Sequence, residues 1–140
     1  MLKADHEHVS ELFIEYRKAD SKNKKKQLAE QICNELTVHA QIEEEIFYPA
    51  VKQALKDKEL IPEARVEHAT LRALISEVRG VEPDGEMFDA KIKVMQEYVK
   101  HHVKEEQNEM FPKAKATDLD MMEIGSKMSQ RKQELLAARP

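Results

Sequence analysis

A pattern of histidine, glutamate and proline occurs twice in this chain and constrains its fold more than any other feature. Residues 39–49 read HAQIEEEIFYP and residues 102–112 read HVKEEQNEMFP, so both fit H-x3-E-x4-[YF]-P. The copies are 63 residues apart at the histidine (39 and 102), the glutamate (43 and 106) and the proline (49 and 112). Two further histidines, His6 and His68, are 62 residues apart. The chain is therefore interpreted as two helical hairpins of one design, each with a histidine on its first helix and an H-x3-E pair on its second.

Four long segments carry apolar residues at helical spacing, which predicts amphipathic helices. They are expected to span about 2–18, 24–47, 62–78 and 86–110. Pro49 is expected to break or kink the second helix before a short extension to Leu55, and Pro112 to end the fourth, because proline disrupts the helical hydrogen-bond ladder. Gly80 is the predicted cap of the third helix, and residues 81–85 are the predicted connection to the fourth.

The tail, residues 118–138, is predicted to form a fifth amphipathic helix. Its predicted inward residues are Leu119, Met122, Met128 and Leu135. Short connections between long helices favour antiparallel neighbours. The expected fold is therefore all-α, an up-down four-helix bundle over about 2–112 with an additional C-terminal helix, in a single domain of residues 1–140.

The composition favours helices and argues against nucleic acid or an anionic membrane as a partner. Charged residues make up 36% of the chain and apolar residues 41%, with only 3 glycines, a balance that favours long amphipathic helices. A formal net charge of −4 predicts neither nucleic acid nor an anionic membrane as the partner. The sequence has no run of about 18 apolar residues that would predict a membrane span. The one cysteine, Cys33, is expected in the core or at its boundary and fits a cytoplasmic protein.

The repeated histidine and glutamate are spaced for metal binding. Residues i and i+4 share one helix face, about 6 Å apart along the axis, so His39 and Glu43 can point at one place, as can His102 and Glu106. A carboxylate buried in an apolar stripe costs several kcal/mol unless a cation offsets it. Imidazole and carboxylate together suit Fe, Mn or Zn.

The number of candidate ligands indicates more than one ion. Four histidines and two glutamates exceed what one ordinary ion requires. Two ions bridged by the carboxylates use them more naturally and leave positions open for water, oxygen or peroxide. A single histidine on an apolar stripe is more often a hydrogen-bonded core residue, but four in two repeated units favour ligands. His8 and His101 lie off the stripes and are expected to be solvated surface residues.

The motifs resemble the hemerythrin-like HHE cation-binding domain family. The resemblance rests on DH at Asp5-His6, HAQIEEEIFYP, EH at Glu67-His68 and HHVKEEQNEMFP, and it continues into the tail. It implies a four-helix bundle with a non-haem di-iron centre whose two ions share an oxo or hydroxo bridge and the bridging carboxylates Glu43 and Glu106. The iron ligands implied by the resemblance are His6, His39, Glu43, His68, His102 and Glu106.

One position departs from the oxygen-carrying members of that family. They have a second histidine four residues after the third-helix ligand, where this chain has Arg72. The departure predicts a less saturated metal and argues against reversible oxygen carriage. Water, Tyr98 or Glu35 remains as a candidate further ligand. A packing or supporting role is favoured for Tyr98, and an exposed or histidine-bonded position for Glu35.

The expected function is binding of, or reaction with, oxygen, peroxide or nitric oxide at a di-iron centre, with enzymatic turnover left open. The alternatives are an iron- or oxygen-responsive sensor or regulatory module, and iron storage or delivery. Storage ranks lower because ferritin-like sites are richer in carboxylates. A structural zinc bundle ranks lowest, because such sites usually hold four ligands including cysteine.

Overall fold

The computed structural model describes residues 2–56, 59–83 and 85–138. The two ends of the predicted domain, residues 1 and 139–140, and Asp84 of the predicted connection lie outside the described residues. Over the described ranges the chain forms seven α-helices and two π turns. The helices are α1 (Leu2–Lys18), α2 (Lys22–Ile42), α3 (Tyr48–Leu55), α4 (Leu60–Val78), α5 (Gly85–Glu105), α6 (Phe111–Lys115) and α7 (Met121–Ala137).

The four long helices α1, α2, α4 and α5 form the bundle. Both α1 and α4 pack against α2 and α5, which closes a ring of four helices. Ser21 caps α2 by accepting a hydrogen bond from the Lys24 backbone amide. Gly80 has a φ of 75°, a left-handed conformation that glycine adopts readily, and it turns the chain after α4. The predicted all-α bundle with an additional C-terminal helix is confirmed.

The predicted helical extension past Pro49 to Leu55 is confirmed as α3, but neither repeated proline breaks the helix. Glu43–Phe47 and Glu106–Met110 form π turns, and α3 and α6 follow each of them without a break. The Tyr48 amide donates to the Glu43 carbonyl and the Phe111 amide to the Glu106 carbonyl. This wider turn inserts one extra residue and lets the helix continue through the proline that follows. The prediction that Pro112 ends the fourth helix is therefore wrong, since α6 continues to Lys115.

A layer of polar side chains separates two apolar cores. The first core contains Val9, Leu12, Phe13, Tyr16, Leu28, Ala29, Ile32, Cys33, Leu36, Leu71, Ile75, Val78, Phe88, Ile92 and Met95. The second core contains Leu2, Val38, Ile42, Phe47, Tyr48, Val51, Ile61, Ala64, Met110, Ala114, Ile124 and Met128. Along each bundle helix, or the π turn that continues it, the candidate histidine lies between residues of the two cores. Cys33 is a core residue as predicted, and burial raises the pKa of its thiol to about 11.

The C-terminal helix α7 closes the second core. It packs against α2 and the first π turn, and Asp120 caps it by accepting from the Glu123 amide. Ile124 and Met128 are buried, whereas Met122, predicted to face inward, is 87% exposed. The prediction for Met122 is therefore wrong, because the buried face of α7 is set by Ile124 and Met128. Among the described residues, no helix combines the length and apolarity needed to cross a membrane.

Candidate metal centre

The structure brings all six predicted metal ligands together in the polar layer. Each helix of the bundle contributes one histidine, and each π turn begins with one glutamate. Glu43 and Glu106 are fully buried, at 0% exposure. The histidines His6, His39 and His68 are buried and His102 is nearly so. The six side chains form two groups, each with ligand atoms that lie within 4.8 Å of one another.

The first group contains His6, His39 and Glu106. Nε2 of His6 lies 3.0 Å from Oε2 of Glu106. These residues come from α1, α2 and the second π turn. The group therefore draws on both repeats.

The second group contains Glu43, His68 and His102. Nε2 of His68 lies 3.4 Å from Oε1 of Glu43, and Nε2 of His102 lies 3.6 Å from the same oxygen. The Nε2 atoms of the two histidines are 3.2 Å apart. This group also joins both halves of the chain.

Each carboxylate contacts histidines of both groups. Glu43 belongs to the second group, yet its Oε1 is 3.2 Å from Nε2 of His39 in the first. Glu106 belongs to the first group, yet its Oε1 is 2.9 Å from Nε2 of His102 in the second. The two carboxylates therefore lie between the groups, an arrangement in which each could bind two cations at once.

Several polar atoms at this centre lie close to one another but make no well-aligned hydrogen bond among the described residues. They are Nε2 of His6, Nε2 of His39, both carboxylate oxygens of Glu43, and Oε2 of Glu106. Buried polar atoms are nearly always hydrogen-bonded, because leaving them unpaired costs free energy. Imidazole nitrogens and carboxylate oxygens are also good ligands for transition metals. The residues present therefore fit a bound cation.

Without a cation, protons must balance the two buried carboxylates. Burial alone would lower the pKa of His39, but the charge of Glu43 and a hydrogen bond to Asp5 raise it to about 10. Burial likewise disfavours charged His102, yet Glu106 and Glu43 raise its pKa to about 11. Burial opposes ionisation of Glu43 too, but the His39 charge lowers its pKa well below the ordinary value. Metal ions would have to displace these imidazolium protons.

Tyr48 is a residue of the centre that the sequence interpretation missed. Its hydroxyl donates to Oε1 of Glu106 at 3.1 Å and lies 2.9 Å from Nε2 of His102 and 3.2 Å from Nε2 of His68. Burial and the charges of both glutamates raise its pKa, so the phenol keeps its proton in the metal-free protein. The repeat carried the signal. Tyr48 stands directly before the proline of the first copy, and Phe111 stands at the same place in the second copy.

The outward nitrogen of each histidine faces a polar side chain. Nδ1 of His39 lies 3.3 Å from Oδ2 of Asp5, and Nδ1 of His6 lies 3.3 Å from the Gln107 amide. More distant carboxylates face the other two, Glu44 at 3.9 Å from His68 and Glu67 at 4.0 Å from His102. Such outer partners fix the orientation of a ligand ring.

The other residues singled out from the sequence lie outside the two groups. Tyr98 is 37% exposed and borders the cavity beside the histidines, while Glu35 lies 3.8 Å from Nε2 of His8. Arg72 points outward and donates to Glu44. The imidazoles of His8 and His101 are 48% and 69% exposed, as predicted. His101 also lies near Glu67 and Glu105 in a third, more exposed group.

A small cavity borders both groups of ligands. It has a volume of about 30 Å³ and is bordered by the four histidines, by Asp5 and Glu67, and by apolar side chains. The aliphatic part of the lining is Val9, Leu36 and Leu71 of the first core, together with Ala40, Val99 and Val103. That volume suits a water or a diatomic molecule and is too small for an organic substrate.

The fold and the centre together define a four-helix bundle with buried groups of histidines and glutamates that could hold a metal ion. The family model described as hemerythrin HHE cation binding domain matches residues 1–114. The chain therefore belongs to this family, and the family predicted from its motifs is confirmed. The match ends before α7.

Two known proteins resemble this chain. The crystal structure of a hemerythrin HHE cation binding domain-containing protein from Mycobacterium kansasii has a TM-score of 0.80 and 25% identity, over 98% of this chain and 85% of that chain. A protein named DNA nickase from Nostoc sp. is 26% identical over 111 residues. Those residues make up 79% of this chain and only 31% of the nickase, so the chain spans less than a third of that relative.

Proposed function

We propose that this protein binds two iron ions and that their centre binds or reacts with oxygen, peroxide or nitric oxide. The observation that carries the proposal is the position of Glu43 and Glu106, each of which contacts histidines of both groups. A carboxylate in that position can neutralise charge on two ions together. Membership of a cation-binding family supports the same conclusion.

The residues of each group have defined tasks in this proposal. The Nε2 atoms of His6 and His39 would hold one ion, and those of His68 and His102 the other. The two carboxylates would be shared between them. With two histidines for each ion, positions remain open that bound iron would offer to small redox-active molecules.

The surroundings of the ligands favour a small reactant. The cavity of about 30 Å³ beside both groups has room for a water or a diatomic molecule. Its apolar wall lowers the polarity around the reactant. Tyr48 would keep a phenolic proton next to Glu106 and His102. These features support chemistry on oxygen, peroxide or nitric oxide more than iron storage, for which ferritin-like sites use more carboxylates.

We also propose that residues 1–140 form one domain, since α7 completes the second core. Cytoplasmic location is part of the proposal and rests on the single cysteine. Neither affects the test of the metal centre.

The test is the iron content and the optical spectrum of protein expressed in iron-supplemented medium. We expect about two irons per chain, because two groups of ligands are present, and near-ultraviolet bands that change when peroxide or nitric oxide is added. A turnover assay with peroxide then distinguishes an enzyme from a sensor that only binds its ligand.

Two histidines on one helix provide a matched control. His6→Ala removes a candidate ligand, whereas His8→Ala removes a half-exposed imidazole two residues away. We expect loss of iron from the first variant and a normal content in the second. One ion per chain, zinc in place of iron, or a spectrum indifferent to both reagents would exclude the proposed function.

A further inference from the structure

A buried carboxylate connects the candidate metal centre to the C-terminal helix. Oδ2 of Asp5 lies 3.3 Å from Nδ1 of His39, and its Oδ1 lies 2.5 Å from Nζ of Lys132. The Asp5 side chain is 8% exposed and that of Lys132 is 25% exposed. A carboxylate buried this deeply is stable only when its charge is compensated. The Lys132 ammonium pairs with the Asp5 oxygen that does not face His39.

The position of Lys132 is fixed by the packing of α7. Ile124 and Met128 anchor this helix in the second core. Arg131, next to Lys132, donates from Nε to Glu45 at 2.8 Å, which ties α7 to the first π turn. Because α7 is held on both sides, the Lys132 ammonium reaches Asp5 only when the helix is docked.

The same helix carries a lysine without this connection. Lys127 pairs with Glu123 at 3.3 Å, and the two side chains are 62% and 60% exposed. This pair lies on the solvent side of α7 and stays within the helix. Lys127 therefore provides a control of equal charge and length in the same element.

We propose that Lys132 is a positioning residue for the metal centre, which holds Asp5 so that Asp5 orients the ring of His39. Docking of α7 is then coupled to occupancy of the group formed by His6, His39 and Glu106. The coupling is reciprocal, so that a bound ion stabilises the docked helix as much as the docked helix strengthens binding. The inference rests on the proposed function only in requiring that this group binds a cation.

The test compares Lys132→Met with Lys127→Met in the full chain. Ferrous iron is titrated without oxygen into metal-free protein, in competition with a chelator. Loss of a residue that hydrogen-bonds to a metal ligand typically lowers the metal affinity by about 10- to 100-fold. We therefore expect Lys132→Met to lower the affinity for one ion about tenfold and to leave the affinity for the other unchanged. Lys127→Met is expected to bind as the wild type does, and Lys132→Arg to restore most of the affinity.

A second measurement separates coupling from a general loss of stability. Amide hydrogen exchange in α7 is expected to slow when iron binds to the wild type, and to respond much less in Lys132→Met. A purely structural role for Lys132 would speed exchange with and without iron equally and weaken neither ion selectively.

The possible failures are distinguishable. Wild-type protein with two ions, and equal iron affinities in the Lys132→Met and Lys127→Met variants, would overturn the inference alone. Wild-type protein with one ion would overturn the proposed pair of irons. If His6→Ala removes that ion, the comparison of Lys132→Met with Lys127→Met still decides the role of Lys132; if His6→Ala retains it, the group behind which Lys132 lies binds no cation and the inference is overturned as well. Protein that binds no iron would overturn both.

Discussion

The Tyr48 hydroxyl donates a hydrogen bond of 3.1 Å to Oε1 of Glu106 and thereby joins the first repeat to the second. Phe111 occupies the equivalent place in the second repeat, where its ring stacks on His6 with centroids 6.4 Å apart and planes 6° apart. A phenol thus borders the second group of ligands and a phenyl ring the first. The two halves of the centre are chemically different although the repeat makes their backbones alike.

Tyr48→Phe removes this hydroxyl and keeps the ring, and it is expected to lower the free energy of unfolding of the metal-free protein. Loss of a buried hydrogen bond to a charged group costs about 1–3 kcal/mol, so the metal-free variant should unfold at lower denaturant concentration. The spectrum of the iron-loaded variant should also shift. Tyr16→Phe is the control, because Tyr16 donates to Asp89 at 2.7 Å far along the bundle. Equal spectra for the wild type and Tyr48→Phe would contradict the assigned role.

Metal-free protein is expected to lose stability as the pH rises above about 6.5. The pKa values of His39 and His102 are raised from 6.5 to about 10 and about 11, so the folded state keeps protons that the unfolded chain has released. The free energy of unfolding therefore falls with pH between these limits. Denaturant unfolding from pH 6 to pH 10 measures the slope.

The iron-loaded protein supplies the comparison for that slope. Bound ions replace the imidazolium protons, so the decline in unfolding free energy between pH 6.5 and pH 10 should be much smaller. Metal-free protein whose stability is flat or rises over this range would show that His39 and His102 are not protonated in the fold.

Arg72→His is expected to make oxygen binding more reversible. Arg72 is 47% exposed and lies one helical turn after His68, so a histidine there could add a fifth imidazole to the second group. Arg72→Gln removes the same pair with Glu44 without adding a ligand. Optical spectra through cycles of oxygenation and degassing compare the two. If both variants bind iron and behave alike, position 72 does not control oxygen carriage.

The histidine spacing allowed most of the bundle to be predicted. Each of the four stripe histidines lies between the two apolar cores. Apolar residues at helical spacing mark the buried face of a helix, so a histidine within such a stripe is predicted to be buried. The boundaries of α1 were predicted at Leu2 and Lys18 and are confirmed. Ligation by the six residues stays a prediction, since their proximity alone does not identify an ion.

The errors have local physical causes. Proline was expected to interrupt a helix because its ring clashes with the preceding turn. The π turn before each proline relieves that clash, and the sequence does not show where the helical hydrogen bonds change to the wider π spacing. Tyr48 was missed because its neighbours in space, His68, His102 and Glu106, are 20 to 58 residues away. The link from Lys132 to Asp5 spans 127 residues and depends on how α7 docks. Contacts of this kind follow from tertiary packing and have no local signature.

The most direct test of the central claim is the number of ions bound by Glu43→Ala and Glu106→Ala, measured by elemental analysis after iron loading. Glu109→Ala, an exposed glutamate of the second π turn, is the control. If each buried carboxylate serves both ions, either substitution should remove more than one ion per chain, while the control keeps two. Retention of both ions by Glu43→Ala or Glu106→Ala would contradict a centre built on shared carboxylates.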